Sequence, residues 1–126
     1  MNFERGIDPK KAIHIGIEVA IEDFLKEVNQ TTSNLDHKFK ICARFGKTSY
    51  ALYLLEKGAD IHSEWDLALR TACNKGFTDT VQALLEAGAN PEVIHLNTSM
   101  NTTRLRKEIK TLIRQYQDEL PKGDRS

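Results

Sequence analysis

Four histidines, two cysteines, a Gly-Lys-Thr triplet and a cluster of carboxylates are the groups in this 126-residue chain that could do chemistry. Zinc sites are built from three or four converging Cys, His or carboxylate ligands and show in sequence as closely paired spacings. His14, His37, His62 and His95 are each separated by more than twenty residues, and Cys42 and Cys73 stand singly. Neither a metal site nor a disulfide framework follows, and the cysteines read as reduced thiols packed as small apolar side chains. Gly46-Lys47-Thr48 resembles the end of a phosphate-binding loop, but the earlier glycine that such a loop needs falls at Ile41. Glu18, Glu22 and Asp23 share a helical stretch with apolar neighbours, which suits a solvated face better than a hydrolytic pair. No catalytic, cofactor-binding or metal-ligating residue is expected, and the chain reads as a non-enzyme.

The same Gly46 has a different explanation, which lies in the elements around it. "ICARFGKTSYALYLLEKGAD" at 41–60 overlies "TACNKGFTDTVQALLEAGAN" at 71–90, so that Gly46 pairs with Gly76, Leu54 with Leu84, Leu55 with Leu85 and Gly58 with Gly88, thirty residues apart. One more step back lands on Gly16, with Phe24 and Leu25 beneath the leucines and Val28 in place of the last glycine. Self-similarity at this period marks stacked supersecondary units, none of which buries its apolar face alone. Within each unit a short apolar segment (Phe39, Ile41, Cys42, Ala43; then Leu67, Leu69, Ala72, Cys73) precedes the glycine, and a second with helical spacing follows it. This predicts two helices around a turn. Gly16, Gly46 and Gly76 are expected to end the first helix in left-handed backbone, Thr48 and Thr78 to cap the second, and Asp8-Pro9 to open the first unit.

These residues resemble the ankyrin-repeat family. The resemblance is carried by the Cys42-Ala43 and Ala72-Cys73 pairs, the two leucine doublets, and the Gly58-Ala59-Asp60 and Gly88-Ala89-Asn90 endings. The family's Thr-Pro-Leu-His turn is replaced by "HKFK" at 37–40 and "LALR" at 67–70, and the short period implies outward loops reduced to simple turns. The implied fold is all-α: a stack of about three helix-turn-helix repeats (8–30, degenerate; 36–60; 65–93), a capping helix over 102–120 and a flexible tail at 121–126. The cap is expected from Leu105, Ile109, Leu112, Ile113, Tyr116 and Leu120 on one helical stripe, with Arg104, Arg106, Lys107, Lys110 and Arg114 opposite.

The implied function is binding of another protein, with the partner masked or inhibited, by a monomer or homodimer. Small stacks of this kind also occur as virus- or symbiont-encoded accessory factors. The contact positions carried over are His14 and Ile15, Arg44 and Phe45, Asn74 and Lys75, each pair just before a repeat glycine, together with the turn residues Asp36, His62, Glu64, Trp65 and Asp66. Trp65 carries the most weight, because tryptophan dominates binding hot spots. The alternative is nucleic-acid association through the basic C-terminal helix. Lysine plus arginine and aspartate plus glutamate both total 18, so no global field favours an anionic partner. With no signal-peptide pattern in "MNFERGIDPKK" and no apolar run of spanning length, no membrane partner is expected and a cytoplasmic location is.

Overall fold

The computed structural model describes residues 9–95 and 105–119, the side chains of residues 9–14 apart. The described elements are α1 (Pro9–Glu27), α2 (Leu35–Arg44), α3 (Thr48–Glu56), α4 (Ser63–Lys75), α5 (Thr78–Glu86), a 3-10 turn (Pro91–Val93) and α6 (Lys107–Glu119). No strand occurs among the described residues. The α2–α3 pair and the α4–α5 pair are the two complete helix-turn-helix units, and α2 packs on α4 while α3 packs on α5. Their buried residues correspond at the thirty-residue interval: Phe39 with Leu69, Cys42 with Ala72, Ala43 with Cys73, Ala51 with Val81, Leu54 with Leu84 and Ala59 with Ala89. The repeat in sequence is therefore a repeat in packing.

Left-handed backbone closes each turn. Gly46 and Gly76 have φ of +72° and +78°, and Gly58 and Gly88 have φ of +109° and +108°, conformations that cost a side chain but not glycine. Close packing adds a second constraint at the first pair. A Cβ on Gly46 would lie 3.3 Å from the Phe77 ring, and one on Gly76 would lie 2.9 Å from Arg106 Nε, so each turn seats a residue of the next layer.

The first copy departs from expectation. Gly16 does not end a helix: it lies inside the continuous 19-residue α1, without positive φ and with nothing within 4 Å of its would-be Cβ. Residues 18–26 of α1 are the counterpart of α3 and α5, burying Ile21, Phe24 and Leu25, and the helix runs back through Gly16 without a break. Val28 does not stand in for the missing glycine either. Asn29, one position later, takes φ +56°, and the amides of Asn29 and Gln30 donate to Lys26 and Leu25 as those of Gly58 and Ala59 donate to Leu55 and Leu54. Asparagine is the residue besides glycine that tolerates this conformation.

The helix-starting threonines are also corrected. Lys47 and Phe77 occupy the cap positions with no side-chain cap bond, and Thr48 and Thr78 are the first helical residues. Thr48 instead uses its hydroxyl across the stack, 2.7 Å from that of Thr80. Asp8, Arg104, Leu120, residues 96–103 and the tail at 121–126 lie outside the described residues.

At the other end α6 covers α5 and the 3-10 turn. Ile109 and Ile113 are fully buried, Leu105 nearly so, and Leu112 and Tyr116 pack at the edge. Gln117 Nε2 donates to the carbonyls of Pro91 and Ile94 at 2.9 and 3.0 Å. Burying three such aliphatic side chains contributes roughly 2 kcal/mol each, a sum comparable with the about 5–15 kcal/mol net stability of a small domain. Deleting everything after residue 101 is therefore expected to leave a chain without a cooperative melt, measured by circular dichroism; a sharp transition in that truncation contradicts the capping role.

Candidate functional site

The residues proposed for contact lie on the turns and on the helices α2 and α4. What holds those turns is a pair of aspartates. The Asp36 carboxylate accepts from the Asp60 amide at 2.7 Å, and the Asp66 carboxylate accepts from the Asn90 amide at 2.8 Å, the same bond thirty residues on. Asp60 and Asn90 in turn accept from the amides of His62 and Glu92 at 2.9 and 3.0 Å. Each repeat thus ties the start of its first helix to the loop after its second. Asp66, expected at a contact surface, is only 3% exposed, because its oxygens are spent on Asn90 and on His62 Nδ1 at 2.9 Å. Asp36 is partly buried in the same service.

Around Asp66 the backbone inverts. Glu64, Trp65 and Asp66 have φ of +54°, +60° and +55°, a left-handed turn at the head of α4. Its counterpart in the preceding repeat is ordinary: Asn34 caps α2, its side chain accepting from the His37 amide at 2.9 Å, and Leu35 packs against the core. The inversion decides where Trp65, the counterpart of Leu35, points. The Leu35 side chain comes within 4.0 Å of a Cβ built on Gly58, whereas nothing lies within 4 Å of one built on Gly88. Trp65 has vacated that seat and is 82% exposed.

Two cations hold the inverted turn. Arg70 donates from Nη2 to the Glu64 carbonyl at 2.7 Å and from Nε to the Trp65 carbonyl at 2.9 Å. Lys40 pairs with the Glu64 carboxylate and holds it below the usual carboxylate range. Neither was singled out from sequence. The signal was present, since Lys40 and Arg70 are the last residues of "HKFK" and "LALR", thirty apart where the family motif is lost. Beside Trp65 an open groove of about 670 Å³ is lined by Arg70, Asn90, Glu92, Val93 and His95.

The other expected contacts divide. Arg44, Asn74 and Lys75 are exposed at the ends of α2 and α4. Phe45 is 41% exposed and rests edge-on against Phe24, with ring centroids 5.5 Å apart. The His62 side chain is half exposed while its Nδ1 serves Asp66. His14 and Ile15 do not end a helix as Arg44 and Asn74 do, because Gly16 is interior to α1; Ile15 is exposed, and the His14 side chain lies outside the described residues. Lys107 and Arg114 are exposed on α6 and Lys110 partly so, in one row with the exposed Arg106 just before the helix, while Glu108, Asp118 and Glu119 are exposed on the same helix.

Residues 64–96 match the family model of the ankyrin repeat. This segment is similar to an ankyrin repeat. No curated protein and no solved structure matches the chain. The matched segment contains the inverted turn, the buried Asp66 and the exposed Trp65, so the departures from the preceding repeat sit inside the segment that matches the family. No group of three or more potential metal ligands occurs among the described residues, and no described helix is long and apolar enough to cross a membrane.

The thiols of Cys42 and Cys73 are pushed up to about 12 by burial, and the Tyr53 phenol to about 12 by burial and by its 2.6 Å bond to Glu18. From the ordinary values of 9.0 and 10.0 upward, the unfolded chain releases protons that the folded chain retains. These three groups therefore leave stability unchanged below about pH 9 and lower it from there towards 12, by on the order of 2 kcal/mol per thiol at about pH 11. Melts across this window are expected to show the fall, with a shallower slope in Cys42→Ala/Cys73→Ala; equal slopes contradict the assignment. Asp66→Ala, which strands the Asn90 amide and frees the inverted turn, is expected to cost about 2–3 kcal/mol in urea unfolding, more than Asp36→Ala.

Proposed function

We propose that this chain is a non-enzymatic module that binds another protein through the face built by α2, α4 and their turns, with Trp65 as its anchor, and that it acts by masking the surface it covers. An ankyrin repeat is in general a protein-interaction unit, and the observation that carries this reading is the exposure of Trp65. A large aromatic side chain stands in water where the equivalent leucine of the neighbouring repeat is packed, and an inverted backbone turn, two Arg70 bonds and a Lys40 ion pair maintain it there. Backbone in such regions persists only where its surroundings over-determine it, and it concentrates at functional sites. Tryptophan at the centre of an interface commonly contributes about 2 kcal/mol or more.

Arg44, Phe45, Asn74 and Lys75 extend the same reading along the two helices, and His62 and Glu64 along the turns. Asp36 and Asp66 hold the face in shape rather than meeting the partner. The buried, unbridged cysteines suit the reducing cytoplasm.

Trp65 is the single tryptophan of the chain, so its fluorescence reports on this face alone. The free protein is expected to emit at long wavelength and to be quenched by acrylamide. Binding of a partner recovered by cross-linking from native extract should shift the emission to the blue and shield it. Trp65→Ala is expected to weaken that binding by at least about 30-fold. Unaltered emission on saturation with the partner rejects this face.

A further inference from the structure

Helix α1 is twice the length of its counterparts, and its first half has none. Residues 9–17 extend it by about 13 Å beyond the stretch equivalent to α3 and α5. On this projecting helix Ile15 and Val19, one turn apart, are 60% and 54% exposed. Val19 corresponds to Ser49 and Asp79 in the other repeats, both exposed, so an apolar side chain stands where the stack otherwise presents polar ones. Gly16 beside them meets nothing within 4 Å, which leaves a notch for close approach of another backbone.

The charges flanking this patch say what covers it. Lys11 lies four residues before Ile15, and Asp23 lies four after Val19, so Lys11, Ile15, Val19 and Asp23 fall on one stripe by helical register. Asp23 is exposed and in no ion pair among the described residues. Reversed end for end about residue 17, the stripe is complementary to itself: position 15 falls opposite position 19, and position 11, a lysine, opposite position 23, an aspartate. We propose that α1 is a self-docking surface, on which a second copy of this chain pairs its own α1 antiparallel across a two-fold axis that passes between Ile15 and Val19, level with residue 17 but on the face opposite the core-packed Ile17. A closed two-fold interface is the commonest way for identical chains to associate. With two apolar side chains per copy the interface is small and belongs to the weak class, with a dissociation constant on the order of 10–100 µM.

Sedimentation equilibrium on the full chain, from about 5 µM to 1 mM, tests this at concentrations spanning such a constant. The expected mass rises with concentration from 14.3 kDa towards twice that value. Ile15→Asp/Val19→Asp should remain at the monomer mass with an unchanged helical spectrum. Lys11→Glu and Asp23→Lys should each weaken association at least 10-fold, and Lys11→Glu/Asp23→Lys should restore it. Trp65→Ala should leave the mass profile unaltered, which separates this outcome from the fate of the partner-binding face. A monomer throughout the range, a dimer that survives Ile15→Asp/Val19→Asp, or a charge-swapped double variant no tighter than the single ones overturns the proposal.

Discussion

A carboxylate that accepts a backbone amide from the far side of its own repeat is the interaction on which the architecture rests. Asp36 reaches the amide of Asp60 and Asp66 that of Asn90, and each bond joins the beginning of a helix pair to the loop that leaves it. A loop that leaves a helix at a left-handed glycine has several ways to go. The bond selects one, and in doing so sets the distance at which the next pair arrives. Because the acceptor is charged and partly or wholly buried, it is worth more than a neutral bond, and losing its partner would be more costly still. The thirty-residue period is the chain length needed to return to the same point on that scaffold.

The two clamps are alike, yet the turns they serve are mirror images. At Asp36 the backbone enters a right-handed helix directly and Leu35 turns inward. At Asp66 three residues adopt left-handed backbone, each at a cost of about 1–2 kcal/mol outside glycine. Two bonds from the Arg70 guanidinium and the buried Asp66 carboxylate offset this, since bonds involving charged groups contribute about 1.5–3 kcal/mol each. The net effect on stability is near balance, and the structural effect is large: an aromatic side chain leaves the core side and enters solvent. It makes no contact with Gly88 like the one Leu35 makes at Gly58. Such a turn is a means of presenting one residue without disturbing the layer beneath it.

The ends of the stack obey a different requirement, since each has only one neighbour. At the C-terminal end α6 supplies an amphipathic lid whose isoleucines fill the face of α5 and whose glutamine satisfies two loop carbonyls. At the N-terminal end a single long helix does the equivalent work, tied down by Tyr53 to Glu18 and by Lys38 to Glu22 at 2.6 and 2.5 Å. That helix continues past what it covers, and there, among the described residues, aliphatic side chains one turn apart stand in water. Closure at one end and projection at the other give the stack a polarity that its repeated middle lacks.

The sequence by itself determined the periodic part: helix pairs, the leucine and small-residue positions that fill the core, the glycines at 46, 58, 76 and 88, and an amphipathic final helix. These follow from spacing and from the conformational freedom of glycine, both local properties that a string of residues displays. Tertiary structure decided what depends on a partner distant in the chain. Gly16 is helical because α1 runs through it without a turn, and Asn29 takes over the turn one residue late because its short amide tolerates the backbone that Val28 resists. Asp36 and Asp66 look like surface acids until the amides 24 residues away donate to them. The direction of Trp65 was equally invisible, since it is set by the sign of three backbone angles that Arg70 holds from within α4 and that Lys40 supports only once α2 lies beside it.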